Sequence, residues 1–150
     1  MSNNRIGVTS LGATRHPPQA LYAEQSVLGG LLLDSGRWDE VAETINAEDF
    51  YTRGHRQIFA AIRSLRDEDE AIDVVTTSEW LEKNGSLEDV GGLTYLGELA
   101  NNTPSTANVK AYARIVHERS VLRRLITATN DIAQKSYNPD GLSLIHISEP

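Results

Sequence analysis

The sequence predicts an all-α protein: a compact, orthogonal helical head of five or six short helices followed by one long projecting helix. Three observations carry that reading. Apolar residues recur at i, i+3, i+4 and i+7 in segment after segment, the period of a helix with one buried face. Capping residues and glycine or proline stops bracket those segments. No pair of alternating segments joined by a hairpin turn is visible, and no repeat with a period of ~20 to 50 residues.

Residues 1–16 carry no periodicity and read as a flexible arm. Pro17 and Pro18 close it, because proline is tolerated where a helix N–H has no partner. The head is expected over residues 17–102. Its first helix places Leu21, Val27, Leu28, Leu31 and Leu32 on one stripe, with Gly29 and Gly30 inside it. Each glycine weakens a helix by about 1 kcal/mol against alanine. Close approach of another helix is the expected compensation, and a kink is the alternative. Asp34-Ser35-Gly36 makes a turn and a cap. Trp38, Val41, Ala42 and Ile45 mark a second stripe. Glu48-Asp49-Phe50-Tyr51 is long enough only for a turn, and should insert both rings into the core. Thr52 is placed to cap the next helix, whose buried face holds Ile58, Phe59, Ile62 and Leu65 before the acidic run Asp67-Glu68-Asp69-Glu70.

Asp73 can cap a helix from Val74 to Asn84, with Gly85 in the left-handed position after it. Val74-Val75 is weak evidence for a strand. After Gly91-Gly92, Leu93, Leu96 and Leu99 mark another short helix, stopped by Asn101-Asn102-Thr103-Pro104. Residues 103–138 form the long helix, periodic from Ala107 to Tyr137 and ended by Asn138-Pro139-Asp140-Gly141. The apolar stripes on Leu28, Leu32, Trp38, Ile58, Phe59 and Leu96 should converge in one core. The head is not expected to cover the long helix fully, so that helix should seek a partner helix. Tyr112, Ile115, Arg119, Leu122, Leu125, Ile126 and Ile132 are the candidate partner or oligomer interface.

Composition narrows the function. Hydrophobic residues make up 39% and charged residues 23%, too apolar for full disorder. No apolar run approaches the ~18 residues that cross a bilayer, and the first residues lack an apolar signal core. Both favour the cytoplasm and no membrane partner. With no cysteine, disulfides, thiolate metal sites and cysteine nucleophiles are excluded. The net charge of −7 makes the chain as a whole a poor match for nucleic acid. Charge is unevenly placed, however. Ten acids and one base, Lys83, lie between Asp67 and Glu98, and five bases and one acid, Glu118, between Lys110 and Arg124. That pattern suits electrostatic complementarity with a partner or a neighbouring copy. Two solvated faces are the simpler explanation. The bases Lys110, Arg114, Arg119 and Arg123 read as near the spacing of one helix face, without the aromatic interleaving that single-strand stacking needs.

Catalytic motifs are absent. Neither Gly29-Gly30 nor Gly91-Gly92 has the lysine and hydroxyl of a phosphate-cradling loop, so the chain by itself should not hydrolyse ATP. The four histidines, His16, His55, His117 and His146, are scattered without zinc-motif spacing. His55 reads as a packed or surface residue. An EF-hand starting at Asp67 fails at Ala71, Ile72 and Ser78, which leaves a solvated acidic loop. No catalytic residue, cofactor or metal is expected. What remains is an acidic helical module built for protein contacts.

Six stretches then carry a family resemblance. They are Ala23-Glu24-Gln25-Ser26-Val27-Leu28-Gly29-Gly30 with Leu33-Asp34; Asp49-Phe50-Tyr51; His55-Arg56-Gln57-Ile58-Phe59; Gly91-Gly92-Leu93-Thr94-Tyr95-Leu96; Asn102-Thr103-Pro104-Ser105; and Asn108-Val109-Lys110-Ala111-Tyr112-Ala113-Arg114-Ile115-Val116. In this order, over about Pro18 to Gly141, the chain resembles the N-terminal domain of bacterial replicative DNA helicases of the DnaB family. The resemblance implies a hexameric ring that unwinds DNA at the replication fork, in which these domains form a collar as a trimer of dimers and dock primase. It implies ATP and magnesium for a C-terminal motor absent from this chain. It implies as partners the chain itself, primase, a helicase loader and DNA held through the full-length ring, in the nucleoid-associated machinery of the cytoplasm. The long helix would be the first arm of a helical hairpin whose second arm would follow Gly141. Leu142 to Pro150 fits neither that arm nor the preceding helix, so residues 139–150 read as a truncated or non-native end. The alternative is a free-standing helical protein-interaction or DNA-binding regulator, which specific, salt-dependent duplex binding would mark.

Overall fold

In a computed structural model, residues 16–137 are described. Among them are seven α-helices and no strand: α1 (Leu21–Leu33), α2 (Trp38–Ala42), α3 (Arg53–Asp67), α4 (Val74–Lys83), α5 (Leu87–Val90), α6 (Gly92–Asn101) and α7 (Val109–Tyr137). Single 3-10 turns at Ser35–Arg37, Ala47–Asp49 and Thr106–Asn108 join some of them. The fold is all-α, as expected, with six shorter helices and then a long one of 29 residues. Ala20–Val121 forms one compact unit, and the described residues 16–19 and 122–137 belong to a second. The expected arm before His16 and tail after Tyr137 fall outside the described residues. No described helix is long and apolar enough to cross a membrane.

The core of the larger unit gathers the stripes read from the sequence. Leu28, Leu32, Trp38, Ile58, Phe59 and Leu96 are all buried in one cluster. Its centre is aromatic: Trp38 and Phe59 stack with centroids 5.0 Å apart, and Phe50 lies 5.1 Å from Phe59. The Arg63 guanidinium covers both rings, 5.9 Å from Trp38 and 5.6 Å from Phe59. Val109, Ala113 and Val116 of α7 are buried in the same cluster, so the first half of the long helix is part of the core.

Helix α1 departs from the expected single stripe. It is buried nearly all round, from Ala23 through Leu32, because α6, α3 and the turn before α7 pack around it. Gly29 and Gly30 make this possible. A Cβ on Gly29 would collide with Thr103 Oγ1 and the Leu99 carbonyl, and one on Gly30 would press on Val109. Close approach is therefore the compensation, and the hydrogen bond from Asp34 N to Gly30 O closes an unbroken helix.

Four local expectations are corrected. Leu21 and Leu93 are exposed, since each lies in the first turn of its helix, where the neighbouring helices no longer reach. Only one ring of Phe50-Tyr51 enters the core, and Tyr51 is exposed. Thr52 stands at the N-cap of α3 but its side chain makes no capping bond. A one-turn helix, α5, precedes Gly91, whose φ of 113° suits glycine. By contrast Asp73 caps α4 by accepting from Thr76 N at 2.8 Å, and Gly85 takes φ 72° beyond its end. Both follow the sequence reading.

Candidate functional site

Chemistry-bearing side chains meet in the interior around Glu24. Glu24 on α1 and His55 on α3 are each 1% exposed, and His55 Nδ1 lies 2.7 Å from Glu24 Oε1. The other ring nitrogen, Nε2, lies 2.6 Å from the Tyr95 hydroxyl of α6. The carboxylate also accepts from Tyr51 N at 2.6 Å and, at 3.5 Å, from Thr52 N. An ionised carboxylate only accepts, so Nδ1 carries a proton toward Glu24; in the neutral imidazole Nε2 then accepts from Tyr95. Gln25 Nε2 donates to the same phenol oxygen at 3.3 Å. Burial raises the Tyr95 pKa above the usual tyrosine value; the Gln25 hydrogen bond pulls against this, and the Glu24 and Glu98 charges add to it.

This network is a pin. It ties α1, α3 and α6 together, and the Glu24 carboxylate holds the backbone entering α3 by accepting from the N–H groups of Tyr51 and Thr52. His55 is the packed residue that the sequence allowed. A second polar contact joins α7 to the turn before Phe50: Ser120 Oγ donates to the buried Asp49 carboxylate at 2.7 Å, and Asn46 N donates to its other oxygen at 3.0 Å. Among the described residues, no cluster of three or more histidines and acids could hold a metal ion. The acidic run from Asp67 to Glu70 is exposed.

The seven candidate interface residues fall into two groups. Tyr112, Ile115 and Arg119 line a groove of about 420 Å³, whose opposite side is the start of α1 with Ala20, Tyr22, Ala23 and Ser26, and whose end is Pro104. Leu122, Leu125, Ile126 and Ile132 lie farther along α7 and are 45%, 57%, 46% and 63% exposed. Leucine and isoleucine that open to water at helical spacing form an apolar row with no cover among the described residues.

The basic residues of α7 do not form the single face expected. Lys110 and Arg114 are exposed, while Arg119 lines the groove. The gap of nine residues from Lys110 to Arg119 turns a helix by about 900°, which is two and a half turns, and so places them on opposite sides. Arg123 donates to the Pro18 carbonyl at 2.8 Å within its own unit.

Comparison with known proteins agrees with this geometry. Residues 16–118 match the family model described as the DnaB-like helicase N terminal domain. The replicative DNA helicase DnaB of Pasteurella multocida is 44% identical over 128 residues, which cover 85% of this chain and 27% of that protein. The chain thus spans about a quarter of the length of that relative. The crystal structure of the N-terminal domain of DnaB helicase from Mycobacterium tuberculosis aligns with a TM-score of 0.81 and 39% identity, over 85% of this chain and 94% of that one. A DnaB-like replicative helicase, whose structure was described together with its interactions with primase, aligns with a TM-score of 0.67 and 26% identity, over 87% of this chain and 32% of that one.

Proposed function

Since this chain belongs to the family of DnaB-like helicase N-terminal domains, we propose that it is the assembly and primase-docking module of a hexameric replicative DNA helicase. The observation that carries the reading is the apolar row Leu122, Leu125, Ile126 and Ile132, exposed on the second half of α7. Exposed apolar surface at helical spacing drives association or marks a partner site. Support for primase as a partner comes from the related helicase studied with primase. In the whole protein the module would brace the collar of a ring loaded onto DNA by a helicase loader. Unwinding would be driven by ATP and magnesium in the motor, at the replication machinery in the cytoplasm. The module would contribute contacts and no chemistry, since its buried acid–imidazole–phenol chain holds helices together.

Sedimentation equilibrium tests the reading. The chain should show weak, concentration-dependent self-association, and the Leu122→Asp, Ile126→Asp double variant should be monomeric with unchanged helical circular dichroism. Titration with primase should give binding to the chain. A strict monomer that also ignores primase would overturn the assignment.

A further inference from the structure

The groove between the start of α1 and the first half of α7 differs in character from the apolar row. Its floor and sides are apolar or small, with Ala23, Pro104, Tyr112 and Ile115 contributing, and its sole charged lining residue is Arg119. Arg119 is half-buried and has no hydrogen bond or ion pair among the described residues. No carboxylate lines the groove, although acids outnumber bases in the chain by 21 to 14. A guanidinium presents a planar fork of donors that fits a carboxylate in two parallel bonds, and it does so best where water is partly excluded. A volume of about 420 Å³ lies within the ~300–1,000 Å³ of pockets that enclose ligand groups.

We propose that this groove is a docking site for a segment of a partner protein that presents an apolar side chain beside an aspartate or glutamate. The apolar side chain fills the space over Ala23, Tyr112 and Ile115, and the carboxylate pairs with Arg119. Charge complementarity selects this occupant. A lone cation above an apolar bed offers little to a polyanion, whose binding depends on many bases acting together, and the net charge of −7 opposes one. The inference rests on the reading of the chain as an interaction module, but it does not depend on self-association.

The test uses the full chain and a fluorescein-labelled peptide, acetyl-Ser-Leu-Phe-Asp-Asp-Ser-amide, followed by fluorescence anisotropy. Binding should weaken about three- to fivefold in Arg119→Gln, the range of a partly exposed ion pair. Replacing the peptide's aspartates by asparagines should cost as much, with no further loss when both changes are combined. Arg119→Glu should bind a lysine-substituted peptide better than the wild-type chain does, with helical circular dichroism unchanged. The Leu122→Asp, Ile126→Asp variant should bind the original probe as the parent does; this separates failure of the groove from failure of the assembly reading. The proposal is overturned by any of four results. These are no binding up to ~1 mM, binding indifferent to Arg119→Gln, displacement of the probe from Arg119 by oligothymidylate, or an Arg119→Glu chain that loses self-association. The last would mean that a second copy occupies the groove.

Discussion

At the scale of single residues, the pinned carboxylate sets the sharpest expectations. Glu24 accepts hydrogen bonds from His55 of α3 and from the backbone that enters that helix while almost wholly buried. Glu24→Leu would leave His55 and the Tyr51 N–H without their acceptor, and each orphaned buried group costs ~1–3 kcal/mol. Urea melts should therefore show a loss well beyond that of an exposed acid such as Glu70, where changes stay within about 0.5 kcal/mol. Phe59→Ala, which empties the aromatic centre, should cost about 3–5 kcal/mol in the same assay. Tyr95 adds a pH dependence. Its folded pKa is raised above 10.0, so the phenol binds its proton more tightly in the native state. The stability it contributes is complete below pH 10 and is lost as pH rises through the higher folded value. The urea midpoint should fall in that alkaline window, and Tyr95→Phe should flatten that part of the curve. The pin itself was not legible beforehand. His55 pairs with residues 31 and 40 positions away, and no local spacing announces such partners.

Elements were legible wherever a helix keeps one side in water. The period of α3 placed Ile58, Phe59, Ile62 and Leu65 inside, and all four are buried. It failed for α1, because a helix enclosed on every side has no polar face to betray its phase. The basic residues of α7 divide for a different reason: Lys110 and Arg114 keep i, i+4 spacing, as do Arg119 and Arg123, but the step from Arg114 to Arg119 moves the second pair off the face of the first. Glycines test the packing of elements with opposite signs. Gly29→Ala should destabilise the head by about 1–3 kcal/mol, because the added methyl meets Leu99 and Thr103 and overpacking outweighs helix propensity. Gly97 lies inside α6 with nothing within 4 Å of an added Cβ, so Gly97→Ala should stabilise by about 0.4–1 kcal/mol. Thermal melts of the pair that moved in the same direction would contradict this account of α1.

For the whole molecule, resemblance supplied what physics alone did not. Composition and periodicity lead only to an acidic helical module, since nothing in them specifies a pathway. The family became legible through six short motifs in order, and the match over residues 16–118 rests on the same stretch of chain. A molecule-scale expectation follows from the lack of a phosphate-cradling motif among these 150 residues: the purified chain should show no ATP turnover at any magnesium concentration, and turnover that persists through further purification would contradict the reading of this stretch as an interaction module. The enclosure of α1 also bears on how the protein is made. On a ribosome α1 emerges early, but Val109, which packs on Gly30, follows it by 79 positions. At ~5–20 residues per second, a leucine-rich helix then waits on the order of 4–16 s for its last neighbour. During that interval its apolar sides are open to chaperones, and the rate at which α6 and the start of α7 arrive governs how long the nascent chain stays vulnerable.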